Sequence, residues 1–367
     1  MHKKIRTVGA VALVVIWAAL TGLAWFSPAK GMSEAERRPL AQFPTVNGDT
    51  LLSGKFMTGF EDYAVDQFPG RDAFRTLKSL FHNYVMRQKD NNGIYIADGY
   101  AVKLEYPLQE ESVAHALGRF NRVYEKYLKN TDSRIYSAVI PDKGYYLAEA
   151  NGYLAPDYSK LFALVQQQMP WATHVDITDC LKAEDYYFTD THWRQEHLLP
   201  TAEKLAAAMG VPVQNEDAYT KTELSRPFYG VYYGQAALPM DPEPLYILES
   251  DLLTQCKVFD FETQTYTPVY NMEKLGGKDL YEVFLSGPKS LLRIENPNAG
   301  TDRELIIFRD SFGSSLAPLL VQDYKTVTLV DIRYVSYELL DRYLEFDGQD
   351  VLFLYSTLVL NSGTTIK

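Results

Sequence analysis

Short apolar runs alternate with longer amphipathic segments over residues 111–367, and this alternation constrains the fold more than any other feature of the sequence. Short β-branched runs predict strands, and apolar residues spaced three and four apart predict helices. Strands joined by helices of ten residues or more run parallel, so the pattern predicts an α/β fold with a mostly parallel sheet covered on both faces. The predicted strands are residues 135–140, 174–177, 304–308, 325–330 and 351–355, and the predicted helices are residues 112–129, 159–168, 196–209 and a helix after Ser311.

The segment of residues 31–110 has a different character. A polar, proline-bearing linker at residues 33–47 is followed by helical spacing over residues 51–88, which Pro69 and Gly70 interrupt. Alternating residues around an Asp-Gly pair at 98–99 predict a β-hairpin, because Asp-Gly is a preferred two-residue turn.

The strand and helix alternation lapses between residues 215 and 300, where Tyr, Pro and Gly are frequent. This stretch predicts a β-rich insertion over the sheet edge rather than a separate domain. The predicted organisation is an N-terminal anchor or signal at 1–30, a linker, helical segment and hairpin at 31–110, and an α/β domain at 111–367 containing the insertion.

Residues 8–26 contain no charged side chain and follow three basic residues. At ~1.5 Å rise per residue this stretch nearly spans a bilayer core of ~30 Å, and it exceeds the roughly 7 to 15 residues of a signal-peptide core. The length favours an uncleaved membrane anchor, with secretion after cleavage near the small residues Ser27 and Ala29 as the alternative. In both cases the basic end stays in the cytoplasm and the body is exported.

The net charge of −11 argues against a nucleic-acid partner. Nucleic-acid binding needs a basic surface that replaces phosphate counterions, and no dense Lys/Arg run follows residue 6. Neutral or cationic partners fit this charge better.

The chain has two cysteines, Cys180 and Cys256, and no CxxC motif. An exported compartment permits a disulfide, but two buried thiols are an equal alternative, since sequence gives no distance between them. Catalysis by cysteine is therefore not expected.

The segment ELIIFRDSFGSS places a predicted strand directly before Arg309, Asp310 and Ser311, and a predicted helix after them. Ligands of α/β proteins bind at the carboxyl ends of parallel strands, and the first N–H groups of a helix can stabilise an oxyanion. Ser311 is thus a candidate nucleophile. The alternative is that Asp310 or Ser311 only caps the helix, as short polar residues often do.

The segment YYFTDTHWRQEH contains Asp190 and His192, two residues apart. A carboxylate beside Nδ1 of an imidazole fixes its tautomer and leaves Nε2 free to accept a proton from a serine hydroxyl. The pair is a candidate general base, although a DxH triplet alone is a weak signal. The aromatic residues around it are more often core than sugar-binding.

A metal site is the competing interpretation of the same segment. The candidate ligands are Asp185, Asp190, His192, Glu196 and His197. The two histidines are five apart rather than the four of HExxH, and no distant Cys/His cluster completes a zinc shell. We therefore expect no metal and no other cofactor.

Four other residues are candidate substrate contacts. Lys143 follows a predicted strand and suits the rim of an active site, although a solvated loop lysine is the commoner case. Arg309 is expected to pair with Asp310, because a buried guanidinium needs a partner. Trp193 adjoins the candidate base. Tyr232 belongs to the aromatic segment FYGVYYG (residues 228–234), which suits a glycan groove and equally an edge hairpin packed on the sheet.

The motifs TDTHW at residues 189–193 and RDSFG at residues 309–313, in this order, resemble the SGNH-like acetyltransferase domain of the alginate O-acetyltransferases and the DHHW family. Three further segments support the DHHW resemblance, so it covers most of the exported chain. These segments are RRPLAQFP at residues 37–44, FEDYAVDQFPGRDAF at 60–74 and KDNNGIYIADGY at 89–100.

This resemblance implies an SGNH-hydrolase-like three-layer α/β/α fold, with Ser311 as nucleophile, His192 as base and Asp190 as its orienting carboxylate. Thr191 occupies the position of the first histidine of the DHHW signature, as in the alginate enzymes. This difference leaves the expected base, His192, unchanged. Asp and His precede Ser, which is a permuted order for an SGNH hydrolase. The glycine and asparagine blocks of the oxyanion hole are not recognisable, which leaves the backbone N–H of Ser311 as the one donor to nominate.

Two functional hypotheses follow. In the first, the protein is an extracytoplasmic O-acyltransferase or esterase that moves acetyl to or from a cell-envelope polysaccharide or a small acyl ester, with a membrane partner supplying acyl groups. In the second, it is a catalytically inactive glycan-binding protein of the same fold. Turnover that depends on Ser311 distinguishes the two.

Overall fold

A computed structural model describes residues 2–367, with side chains from Arg6 onward. The chain divides into two compact units. Unit 1 contains the residues up to Asn92 together with Tyr233–Pro239, and unit 2 contains Gly93–Tyr232 and Met240–Lys367. The boundary falls before the hairpin, which the sequence had grouped with residues 31–110.

Unit 1 is mainly helical, as its apolar spacing predicts. The helices break between Asp66 and Arg71, where Gly70 has a φ of 69°, a left-handed conformation that glycine adopts without strain. The helices are α1 (His2–Phe26), α2 (Gly48–Leu52), α3 (Lys55–Asp66) and α4 (Arg71–Leu80), which continues as a π-helical turn over Phe81–Val85; the strands β1 (Met32–Ser33) and β2 (Arg38–Pro39) pair antiparallel.

Helix α1 contains a segment, Arg6–Phe26, that is 21 residues long and apolar enough to cross a membrane. Its side chains are not buried within the protein. At ~1.5 Å per residue its length matches the ~30 Å core of a bilayer. By length and composition the helix fits a signal anchor or a signal peptide.

The rest of unit 1 is held by an aromatic cluster and by ion pairs. The ring of Phe43 makes edge contacts with Phe56, Phe60 and Tyr63 at centroid distances of 5.3–6.3 Å. Arg38 contacts both carboxylate oxygens of Asp66, which holds the pKa of that carboxyl at about 2. Side chains of α4 bind the 233–239 segment through its carbonyls, so this segment completes unit 1.

Unit 2 contains strands that alternate with helices. The strands are β3 (Ile94–Ala97), β4 (Tyr100–Lys103), β5 (Arg134–Ile140), β6 (Thr173–His174), β7 (Thr220–Glu223), β8 (Tyr246–Glu249), β9 (Lys257–Asp260), β10 (Thr265–Thr267), β11 (Leu291–Glu295), β12 (Glu304–Arg309), β13 (Thr326–Val330) and β14 (Asp350–Ser356). The helices that follow α4 are α5 (Glu110–Val123), α6 (Lys143–Leu147), α7 (Tyr158–Gln168), α8 (Leu199–Met209), α9 (Val231–Ala236), α10 (Asp251–Gln255), α11 (Gly313–Leu316) and α12 (Thr357–Asn361). Of these, α9 belongs to unit 1 from Tyr233 onward.

Eight of these strands form one sheet in the order β10-β9-β11-β13-β12-β14-β5-β6. The strands β13, β12, β14, β5 and β6 are parallel, and β11, β9 and β10 add an antiparallel edge. The predicted α/β class with a mostly parallel sheet is confirmed. The predicted insertion supplies this antiparallel edge. It therefore extends the sheet, whereas the sequence predicted that it lies over the sheet edge.

Alternate residues of the central strands enter two separate cores, because successive side chains of a strand point to opposite faces. In β12, Ile306 and Phe308 pack with α5 and α7, whereas Leu305 and Ile307 pack with α8. Helices therefore cover both faces of the sheet, and the three-layer arrangement is confirmed.

The predicted hairpin is present as β3 and β4, with Asp98 at a φ of 49° and Gly99 at 85° in the turn. These values are typical of the two-residue turns that Asp-Gly favours. By contrast, β6 is shorter than the predicted strand at 174–177. The chain leaves the sheet edge there and enters a 3₁₀ turn at Thr178–Cys180.

Candidate active site

Ser311 lies just beyond the carboxyl end of β12, in the turn that leads to α11, and is half-buried. The carboxylate of the preceding residue, Asp310, fixes this turn. It accepts hydrogen bonds from the N–H and O–H of Ser356, at the end of the neighbouring β14, at 2.8 and 2.6 Å, and from the N–H of Phe312 at 3.0 Å. Asp310 thus has a structural role in the turn, but it does not cap the helix as considered from sequence, because the N-cap residue of α11 is Phe312 and no side chain caps it. The hydroxyl of Ser311 lies against His192 instead.

The structure brings Ser311, His192 and Asp190 together. Nε2 of His192 lies 2.8 Å from Oγ of Ser311, and Nδ1 lies 2.5 Å from Oδ1 of Asp190. The other carboxylate oxygen of Asp190 accepts the N–H of Val231 at 2.8 Å. With Nδ1 donating to Asp190, Nε2 is the acceptor that faces the serine hydroxyl. One continuous hydrogen-bonded path therefore runs from the serine to a fully buried carboxylate.

The backbone N–H of Ser311 remains available. Among the residues that the structure describes it has no hydrogen-bond partner, whereas the N–H of Phe312 is bound by Asp310. An N–H beside the attacking oxygen is suitably placed to bind a developing oxyanion. This is the donor that the sequence nominated.

Tyr281, from the predicted insertion, covers one face of the His192 ring. The two rings are parallel within 8° and their centroids are 3.8 Å apart. The hydroxyl of Tyr281 shares a 2.8 Å hydrogen bond with Ser315 of α11, and burial raises the pKa of this phenol well above its usual value. The stacked ring of Tyr281 therefore helps to fix the orientation of the imidazole.

Glu243 organises the backbone of the loop that carries the histidine and aspartate. Its carboxylate accepts the N–H groups of Phe188 and Thr189, each at 2.9 Å, and the hydroxyl of Thr189 at 3.0 Å. Arg194, on the other side of the loop, pairs with the same carboxylate at 2.5 Å. All these groups are buried or nearly so, and a loop without regular secondary structure is thereby fixed. Sequence reasoning missed both Glu243 and Tyr281, because no local motif marks them.

The aromatic segment contributes backbone and hydroxyl groups to the same loop. The N–H of Gly230 donates to Oγ1 of Thr189 at 2.9 Å, and a Cβ at Gly230 would lie 2.3 Å from Cα of Asp190, so only glycine fits. Tyr232 is 5% exposed and its hydroxyl donates to Thr191 at 3.0 Å. This placement favours a positioning role for Tyr232 over the predicted substrate contact.

Lys143 is buried at the start of α6, contrary to a solvated loop lysine. Its Nζ donates to the carbonyls of Tyr187 and Phe188 at 2.8 and 3.3 Å, directly before Thr189. Burial lowers the pKa of Lys143 to about 7, and the nearby carboxylate of Asp190 partly offsets this. The predicted rim position is therefore an interior one, behind the loop.

Trp193 is completely buried. Its indole N–H donates to the carbonyl of Phe312 at 3.1 Å and to the hydroxyl of Ser315 at 2.9 Å, so it joins the histidine loop to the serine turn. This placement favours positioning over the predicted contact with a substrate.

Arg309 is also interior, with 1% exposure, and burial lowers its pKa. Its guanidinium lies 3.9 Å from the carboxylate of Asp331 and contacts Asp310 only through the backbone carbonyl, at 3.3 Å. The expected pairing with the Asp310 carboxylate is wrong, because Ser356 and Phe312 occupy that carboxylate.

Within residues 6–367, whose side chains the structure describes, no three His, Cys, Asp or Glu side chains gather as a metal ion would require. Two of the candidate ligands, Asp185 and His197, pair with each other at 3.0 Å. Cys180 and Cys256 are free thiols, the first partly exposed and the second buried.

Residues 173–330 match the model of the DHHW protein family, a region that includes all three residues of the hydrogen-bonded path. The resemblance to the DHHW family is confirmed. A DHHW family protein from Eubacterium siraeum DSM 15702 shares 21% identity with a TM-score of 0.62, over 75% of this chain and 94% of the solved one. A comparison with curated proteins gives no match.

Bacillus cereus PatB1, solved with a sulfonyl adduct, is also similar in fold to this chain. It shares 16% identity with a TM-score of 0.55, over 73% of this chain and 95% of its own. The O-acetyltransferase domain of Pseudomonas putida AlgJ matches at 14% identity over 73% of this chain and 92% of its own, with a TM-score of 0.44, and we draw no functional argument from so distant a likeness. The SGNH-hydrolase-like fold is thus confirmed, with Asp190 and His192 preceding Ser311 in the chain.

Proposed function

We propose that this protein is an extracytoplasmic, serine-dependent O-acyltransferase or esterase that transfers acetyl to or from a cell-envelope polysaccharide. Ser311 is the nucleophile, His192 the general base and Asp190 the carboxylate that orients it. The observation that carries the proposal is the path with 2.8 Å between Ser311 and His192 and 2.5 Å between His192 and Asp190. These separations lie within the hydrogen-bond reach that a nucleophile and its base require.

In the first half-reaction, Nε2 of His192 takes the hydroxyl proton while Oγ of Ser311 attacks the acyl carbonyl carbon. The N–H of Ser311 stabilises the oxyanion. Collapse of the tetrahedral intermediate breaks the bond to the leaving oxygen, which takes the proton from His192 and leaves an acyl-serine. In the second half-reaction a sugar hydroxyl, or water, loses its proton to His192 and attacks the acyl-serine, which regenerates Ser311.

The choice between a sugar hydroxyl and water depends on how well water is excluded in the second step. Acetyl transfer to envelope glycans is what the family resemblance implies. Incubation of the full chain with an acetyl donor and candidate envelope glycans, followed by mass spectrometry of the glycan, measures transfer; release of free acetate measures hydrolysis.

The direct test of the site is covalent labelling. A fluorophosphonate or sulfonyl fluoride should label the wild-type protein on Ser311, and a chromogenic acetyl ester should be turned over. Ser311→Ala should lose both signals, whereas Ser314→Ala, a buried serine in the following helix, should keep them. Labelling of another residue, or turnover by Ser311→Ala, would contradict the proposal.

The glycan-binding hypothesis makes the opposite prediction in the same experiment. If the parent protein shows no turnover and Ser311→Ala, His192→Ala and Asp190→Asn all bind glycan with the parent's affinity, the protein is a binding module. In the aromatic segment Phe228 and Tyr232 are buried, and Tyr229, which is 40% exposed, is a single ring rather than a platform for a glycan.

Attachment to the membrane rests on α1 acting as an anchor, whereas the body is extracytoplasmic with an anchor or a cleaved signal alike. We expect the full chain in the membrane fraction, with its C-terminal body sensitive to protease added outside the cell. Recovery as a soluble species that lacks the first thirty or so residues would favour a cleaved signal peptide instead.

A further inference from the structure

Unit 1 exposes a row of large apolar side chains along one helical face. Phe74, Leu77, Phe81 and Tyr84 are spaced three, four and three residues apart on α4 and its π-helical extension, and they are 48%, 62%, 49% and 74% exposed. Residues at this spacing lie on the same side of a helix. We call these four residues the apolar face. Contiguous exposed apolar surface of this kind marks an interaction site.

The charge around the apolar face is opposite to that of the chain. Residues 71–89 contain five basic and one acidic side chain, a net charge of +4, while the whole chain carries −11. Arg71 and Arg75 pair with Glu36 inside the unit. Lys78, Arg87 and Lys89 are exposed, so the apolar face has a basic border.

A cavity of about 700 Å³ adjoins the apolar face, since its lining includes Phe74 of that face and Lys78 of the basic border. Val65 and Phe68 supply further apolar lining. Arg71 also lines the cavity, and its Nε is buried without a hydrogen-bond partner in the described part of the chain. An unpaired buried donor beside an apolar cavity suits a ligand with an anionic group and an apolar tail.

We propose that the apolar face of unit 1 docks on an anionic phospholipid membrane, with the adjoining cavity receiving a lipid headgroup. A helix with an aromatic and aliphatic face and basic flanks lies in the headgroup region of a bilayer. Anionic lipid attracts such flanking Lys and Arg side chains. A second copy of this acidic chain, or another acidic protein, could bind the basic border but would not explain the apolar helix α1. A membrane explains α1, the apolar face and its basic border together.

The test places a fluorophore on the apolar face of the full chain. Leu77→Cys in a Cys180→Ser background is labelled with an environment-sensitive dye; Cys256 is buried and stays. The protein is inserted through α1 into lipid nanodiscs, one chain per disc, made of phosphatidylcholine alone or with 30% phosphatidylglycerol, and brominated acyl chains serve as quenchers. Single occupancy removes a second copy as an explanation. The expected result is a blue-shifted emission and quenching that is several-fold stronger with phosphatidylglycerol.

The matched control is Leu154→Cys, also labelled, on a leucine of unit 2 that is 58% exposed compared with 62% for Leu77. It should report water in both lipids. Lys78→Glu and Arg87→Glu should each lower the ratio of docked to undocked protein about fivefold in the anionic discs and leave the melting temperature unchanged. A Leu77 label that stays in water in both lipids would overturn the proposal, and this is the result expected if the apolar face binds a protein instead. Equal quenching at Leu77 and Leu154 would overturn it as well.

Discussion

The two segments that meet in the candidate active site are held in different ways. The Ser311 turn follows directly from β12, and the side chain of Asp310 anchors it to the adjacent strand β14. The Asp190 and His192 loop has no regular secondary structure. It is held by groups from distant parts of the chain, among them Glu243 and Tyr281 of the predicted insertion.

This difference separates local from long-range causes of catalytic geometry. A turn at a strand end is placed by the sheet itself, so its position survives changes elsewhere. A loop held by buried polar contacts depends on every partner, because each unpaired buried group costs about 1–3 kcal/mol. We therefore expect the serine side to be robust and the histidine side to be sensitive to substitutions far from the chemistry.

The largest effect should come from removing either end of the proton path. Ser311→Ala removes the atom that forms the acyl-enzyme, and His192→Ala leaves the hydroxyl without a base. Each should lower kcat for an acetyl ester by about 10⁶-fold, as in protease triads, and the double variant should be no worse than the single ones. Additive losses would show that the two segments act independently, contrary to the shared path. Single-turnover acylation measures this directly.

The second-largest effects are expected from substitution of the aspartates of the two segments, Asp190 and Asp310. Asp190→Asn keeps the shape but spoils the tautomer and the stabilisation of the imidazolium, which costs up to ~10⁴-fold in kcat in model triads. Asp310→Asn should instead lower stability, since its carboxylate fixes the Ser311 turn through Ser356. Paired measurements of kcat and melting temperature distinguish the two. The metal interpretation would be restored by two results together: Asp190→Asn leaves activity unchanged, and substitution of Glu196 or His197 removes both activity and a bound metal.

A smaller loss should follow from Glu243→Gln. The change removes the carboxylate that pairs with the buried Arg194 and leaves the guanidinium with the more distant Glu196, at 3.8 Å. Breaking a buried ion pair costs about 3–5 kcal/mol in unfolding free energy, and it lets the loop shift. A displacement of ~1 Å at the reacting groups lowers kcat/KM by ~10²-fold.

The second-site change Arg194→Met should recover most of the stability lost in Glu243→Gln. Glu249→Gln, at an exposed position of β8 in the same insertion, is the matched control and should be neutral. Wild-type activity in Glu243→Gln would show that the loop does not depend on this contact.

The sequence predicted the sheet and the three residues of the path for identifiable reasons. The spacing of apolar residues in strands and helices is a local property of the sequence. RDSFG and TDTHW are contiguous motifs, and their order along the chain matches the family that the sequence resembles. Glu243 lies 53 residues from Asp190 in the sequence and Tyr281 farther still. Their contribution depends on tertiary contacts that no spacing rule contains. For the same reason the burial of Lys143 was missed, since a lysine at a strand end is exposed in most proteins.

The smallest effect concerns Lys143, which lies behind the histidine loop. Its pKa is about 7 in the folded protein and ordinary, near 10.5, once the chain unfolds. Below pH ~7 both states hold the proton, so this residue gives no pH dependence. Between pH 7 and 10 the unfolded state alone keeps it, and the free energy of unfolding should rise by up to ~1.4 kcal/mol per pH unit. Lys143→Met should abolish this rise in urea titrations at pH 7, 8 and 9, while Lys325→Met, at an exposed lysine, should retain it. If the free energy of unfolding of Lys143→Met rises with pH as steeply as that of the wild type, the Lys143 ammonium is solvated. The histidine loop then lacks the buried hydrogen bonds from Lys143 that distinguish it from the serine turn.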